Sequence, residues 1–162
     1  MTWIGSDEFH VVLLNAPSTG GLSNTTTETC KHINMGRYES VLILMPIGTN
    51  GVTTSNFYMM EASTYSAAGQ ATASYNYRIA STAATYNGVD TLSARAAGVS
   101  TALVLSSTAE TMYAFEVKAD GLTDGYPFIY PSVSSAAATR NATVVALCKP
   151  RYQGTTMLQV NS

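Results

Sequence analysis

From Met112 to Lys118 the chain alternates residue by residue. Tyr113, Phe115 and Val117 fall on one face of an extended segment, and Ala114, Glu116 and Lys118 on the other. A period of two is the mark of a half-buried strand, and a helix cannot keep such a set on one face. The same period recurs at Ser74–Ala80, where Tyr75, Tyr77 and Ile79 oppose Asn76 and Arg78. No stretch carries an apolar stripe of helical spacing. The chain is thus confined to folds built from short alternating runs cut by turn residues.

In order, the runs are Phe9–Asn15, Tyr38–Ile47, Asn56–Ala62, Ser74–Ala80, Thr91–Ala94, Thr101–Leu105, Met112–Lys118, Tyr126–Tyr130 and Thr143–Lys149. Gly48-Thr49-Asn50-Gly51, Asn87-Gly88, Asp120-Gly121 and Asp124-Gly125 punctuate them, Pro131 closes the eighth and Pro150 ends the ninth. Pro17–Thr29 is loop by composition, and Ser63–Ala73 reads as loop or ragged edge strand. The most apolar run, Val41-Leu42-Ile43-Leu44-Met45, is apolar on both faces and is followed by Pro46, which predicts a central strand covered on both sides. About nine short strands at such spacing point to a sandwich or a barrel with no substantial helix. Residues 1–8 read as an N-terminal arm, 9–152 as one β domain, and 153–162 as a polar tail whose apolar points are Met157, Leu158 and Val160. Trp3 and Ile4 in the arm, with Met157 and Leu158 in the tail, are the candidate contacts with a neighbouring protein subunit.

Charge is what sets this composition apart. Asp, Glu, Lys and Arg make up 11% of the 162 residues, against about 25% in ordinary soluble domains. A shell of Ser, Thr, Ala, Asn, Gly and Tyr suits a surface that meets other protein. A formal charge of −2, with basic residues scattered singly, offers no stripe to neutralise phosphates, so nucleic acid is not an expected partner. The run Val11–Leu14 is too short for a signal peptide, and no stretch approaches the ~18–20 apolar residues that span a bilayer. Two cysteines, Cys30 and Cys148, are too few for a disulfide framework. Their spacing leaves one bridge open, but a reduced protein is the expectation. The sequons Asn24-Thr25-Thr26 and Asn141-Ala142-Thr143 read as chance matches in a Thr-rich chain.

Catalytic constellations are not legible. His10 lies between Phe9 and Val11 in a strand, and His32 follows Cys30-Lys31 at a loop end; both read as structural. Cys30 and His32 have no second pair with which to complete a zinc site. Nucleophile elbows and phosphate-binding glycine loops are missing from the sequence. Asp120 and Asp124 are better explained by turn chemistry than by calcium. Tyr126, Phe128 and Tyr130 alternate as packing residues do, with sugar stacking as the other use of such a row. The expectation is therefore a non-enzymatic protein with no cofactor, metal or small-molecule substrate.

The order of several motifs adds a resemblance. Ser40-Val41-Leu42-Ile43-Leu44, Tyr77-Arg78-Ile79, Asp90-Thr91-Leu92 and Met112-Tyr113-Ala114-Phe115-Glu116-Val117 are followed by Asp120-Gly121-Leu122 and Tyr126-Pro127-Phe128-Ile129-Tyr130. An Ala/Asn-rich gap and the strand Val144–Cys148 then close on Pro150-Arg151-Tyr152. Over residues 38–152 this resembles the head decoration (cement, capsid-stabilising) proteins of tailed bacteriophages. Residues 1–37 fall outside the resemblance. It implies an all-β antiparallel sandwich of jelly-roll type, made in the host bacterial cytoplasm, that forms a homotrimer on the outer capsid surface of the virion. Its implied partner is the major capsid protein, with no membrane and no nucleic acid involved. The alternative is a carbohydrate-binding sandwich on a virion or fibre, stacking sugars on Tyr126, Phe128, Tyr130 or Trp3.

Overall fold

The structure, a computed structural model, describes residues 9–15, 27–50, 55–66, 69–81, 91–98, 102–105, 111–135 and 140–151. These contain fourteen strands: β1 His10–Leu13, β2 Glu28–Thr29, β3 Ile33–Asn34, β4 Tyr38–Asn50, β5 Ser55–Ala62, β6 Ala71–Thr72, β7 Asn76–Ser81, β8 Thr91–Leu92, β9 Ala96–Ala97, β10 Leu103–Leu105, β11 Thr111–Lys118, β12 Phe128–Ser135, β13 Arg140–Ala142 and β14 Val145–Pro150. Every pairing is antiparallel. Among the described residues the one helical piece is a 3-10 turn at Ala119–Gly121.

The strands form two packed sheets. The first runs β1-β14-β4-β11-β7-β8, with β13 beside β4 and β9 beside β7; the second runs β10-β5-β12-β2, with β3 beside β12 and β6 beside β5. The chain changes sheet again and again: β1 in the first, β2 and β3 in the second, β4 back in the first, β5 in the second. Strands β10, β11, β12 and β14 repeat the alternation. This is the path of a jelly roll, with β7, β8 and β9 added beyond β11. It is an all-β sandwich, as the periodicity and the resemblance predict.

Between the sheets lies one core. Val41, Ile43, Met45, Tyr113, Phe115, Val117, Ala146 and Cys148 come from the first sheet and meet Ile33, Phe57, Met59, Leu105, Ile129 and Val133 of the second. Phe115 and Phe57 stack across the gap with centroids 4.0 Å apart and planes within 6°. The alternation read at Met112–Lys118 is what supplies Tyr113, Phe115 and Val117 to this layer.

Two prolines lie inside strands: Pro46, within the run read from Tyr38 to Ile47, and Pro131, which departs from the sequence reading because it does not close its strand. Pro131 lies inside β12, opposite Met59. Its carbonyl accepts the Cys30 N–H at 3.0 Å, so its missing N–H faces the same flank. That flank is where the β2 and β3 registers on β12 differ by one residue, and no regular ladder bond is lost there. Pro46 lies inside β4, opposite Met112, and faces the break at Thr143-Val144 between β13 and β14. The amide of Asn15 fills that break: its Oδ1 accepts the Val144 N–H at 2.6 Å, and its Nδ2 donates to the Ala142 carbonyl at 3.0 Å.

Candidate docking face

The larger correction concerns β4. Its inner row, Val41, Ile43, Met45 and Ile47, is buried as expected, but its outer row is not covered, and Leu42 is 37% exposed. Register extends this open row across the sheet. Val11 pairs with Leu147, which pairs with Leu42, which pairs with Glu116. One row along, Leu13, Val145, Leu44, Ala114 and Arg78 stand side by side; beyond them come Pro46, Met112, Ala80 and Leu92. Side chains two apart share a face, so these rows form one outward surface of mainly aliphatic groups. It is most exposed at its margins, where Val11 is 70% and Leu92 54% open.

Two ion pairs lie at this surface, and Arg78 in its second row is a further, exposed cation. Arg95 Nη2 donates to Glu116 Oε2 at 2.6 Å, and Lys149 Nζ to Glu39 Oε2 at 2.9 Å. A shallow hollow lies where Leu42, Ala114 and Tyr77 meet Asn76, Arg78, Arg95 and Glu116. At one end of the sheet a second, polar hollow is lined by Glu39, Ser40, Lys118, Asp120 and Arg151. The Arg151 Nε there donates to the Tyr38 carbonyl at 3.1 Å.

The outside of the second sheet is built differently. Tyr130 points outward from β12, yet it is only 2% exposed. The His32 ring covers it at a centroid distance of 4.2 Å, and Tyr65 lies 5.3 Å beyond His32 and edge-on to Phe128. Tyr65 is 64% exposed. Of the row proposed for sugar stacking, Tyr130 is therefore buried and Phe128 and Tyr126 are half-buried. The aromatic ring most open to solvent there is Tyr65, which sequence reading placed in a loop without a role.

The groups able to do chemistry are held by packing. His10 Nδ1 lies 3.4 Å from the Tyr38 hydroxyl, with the two rings edge to face. Burial holds the His32 imidazole below its usual range, which favours the neutral ring inside its aromatic stack. Cys30 and Cys148 are both free and buried. Burial pushes each thiol up to about 12, with the Glu28 carboxylate adding to the effect at Cys30, so neither is a ready thiolate. Glu61 is buried at a core-facing position of β5, where its Oε2 accepts the Thr123 N–H at 3.1 Å and anchors the turn before β12. Among the described residues no three of His, Cys, Asp and Glu stand together to hold a metal ion. Trp3, Ile4, Met157 and Leu158 lie outside the described residues.

No family model matches the chain, and neither a curated protein nor a solved structure is significantly similar to it. The open aliphatic face could not be found from composition alone, but its signal is in the sequence: Val41–Met45 is apolar at odd and even positions alike.

Proposed function

We propose that this chain is a structural protein that acts by docking against other protein, and that its setting is the outside of a tailed-phage capsid, where it holds neighbouring major capsid subunits together. One observation carries the docking half of this reading: a mainly aliphatic sheet face with Leu42 left 37% exposed at its centre. Apolar surface of that extent is stabilised by burial against another protein surface. The capsid half rests on the motif order over residues 38–152. A protein that binds the assembled lattice and not free subunits shifts the equilibrium toward the lattice. Several weak footprints on one particle add through effective concentration. Sugar stacking has less behind it, because Tyr130 is buried beneath His32.

Cryo-electron microscopy of the source particle tests the reading. Density for this chain is expected at threefold or quasi-threefold positions outside the shell. Finding the chain in the tail, or missing from particles, would overturn it.

A further inference from the structure

We infer that the outer face of the first sheet takes a partner protein of particular chemistry: an aliphatic patch from which a carboxylate rises to meet Arg78. This rests on the docking reading above and gives the partner its sign and shape.

Register sets Arg78 opposite Ala114, with Asn76 and Ala80 beside it on the same face of β7, and none of these is acidic. The one carboxylate lining the same hollow, Glu116, is already held by Arg95 at 2.6 Å. Among the described residues Arg78 has no ionic partner of its own. Farther along the face come Lys118, opposite Ser40, and Lys149, which is paired with Glu39. Four cations, Arg78, Arg95, Lys118 and Lys149, thus stand against two carboxylates, Glu39 and Glu116, on a chain whose formal charge is −2. Asp120 and Arg151, at the polar hollow beyond the end of β11, offset one another. A positive excess on one face of an acidic protein favours a partner of opposite sign and disfavours a second copy of the same face.

The surroundings of Arg78 narrow the choice further. It shares a row with Leu13, Val145, Leu44 and Ala114, and Leu42 borders its hollow. A guanidinium is a planar fork that matches the two oxygens of a carboxylate, and it is more weakly hydrated than an ammonium, so it suits a contact that is covered by protein. Asn76 brings an amide donor to the same hollow. A small free anion would leave the aliphatic rows in water. A wholly aliphatic partner would cover Arg78 without an opposing charge, which is strongly unfavourable. An Asp or Glu side chain set among aliphatic groups answers both demands.

Co-sedimentation of the purified full chain with source particles made without it tests this, with circular dichroism as the check on folding. Wild type is expected to bind more weakly as sodium chloride rises from about 0.05 to about 0.5 M, because salt screens the pair. Arg78→Gln, an exposed change outside the core, is expected to bind at least about tenfold more weakly at low salt and to lose most of the salt dependence. Leu42→Ser probes the face itself, since it removes apolar surface and adds no charge. If Leu42→Ser weakens binding and Arg78→Gln does not, the occupant is a neutral surface, a second copy included; the inference is then overturned and the docking reading stands. If neither variant matters, or the chain binds no particle, both fall. Wild-type binding that is indifferent to salt would also overturn the inference, and this series decides alone should Arg78→Gln not fold.

Discussion

Gly98 has almost no room for a side chain. Its N–H donates to the Tyr75 carbonyl at 2.6 Å, and a Cβ added there would lie 2.3 Å from the Tyr75 ring. That ring is 4% exposed and wedged edge-on against Phe57 and Phe115, so it cannot move aside without disturbing the core. Gly98→Ala is therefore expected to cost on the order of 1–3 kcal/mol, as overpacking does. Gly121→Ala, where a Cβ meets nothing within 4 Å, serves as the near-neutral control in the same urea titration. The buried thiols give a second residue-level expectation. Cys30 and Cys148 titrate at about 12 in the fold against an ordinary 9.0. Below the lower value both states are protonated and stability is unaffected. Between the two values the unfolded chain ionises while the folded one does not, so stability falls as pH rises, by about 1.4 kcal/mol per pH unit for each thiol. The urea midpoint is expected to drop from about pH 8 to about pH 10, and to drop less in Cys148→Ala. A midpoint unchanged across that interval would refute the burial of the thiols.

At the scale of elements, the β13–β14 break shows how a side chain replaces strand backbone. The Asn15 amide satisfies Val144 and Ala142 where the ladder is interrupted opposite Pro46, and it ties the end of β1 to the last strand. Asn15→Ala removes both bonds and strands a backbone N–H and a carbonyl, a loss of about 1–3 kcal/mol. Hydrogen exchange is expected to quicken first at β1 and at Val144; uniform protection would show that the amide contributes nothing. Much at this scale was legible beforehand. Strands β5, β7, β11 and β14 fall close to their sequence-read bounds, because each has one apolar row and one polar or mixed row. Pro131 misled, since a missing N–H ends a strand only when it faces a regular ladder, and which flank it faces is set by partners far away in sequence. The pairs β2 with β12 and β3 with β12 were hidden for the same reason: two-residue strands carry no period, and their partners alone define them.

For the whole molecule, the sheet order places the start of β1 beside the end of β14, with His10 opposite Cys148. Arg151, just beyond β14, lines the polar hollow with Glu39 and Lys118 at that end of the first sheet. Every described strand begins at His10 or later, so a chain shortened by residues 1–8 is expected to melt like the full one. If the arm is a grip, it is also expected to wash off particles more readily. Equal retention on particles would show that the arm is not a grip. Trp3 and Ile4 are the side chains this deletion tests.

The sequence by itself determined that the chain is β, where its strands alternate, and which side chains of β11 and β7 face inward, because the period of two is a local property of an extended backbone. It also determined that no helix-based or disulfide-based fold was open to the chain. The tertiary structure alone decided which of the two apolar rows of β4 is covered. Val41, Ile43 and Met45 are as apolar as Leu42 and Leu44 and their neighbours, and nothing local separates the rows. Burial depends on the second sheet, and the second sheet packs on one side only. The row it leaves open is the face on which this protein's function is proposed to rest.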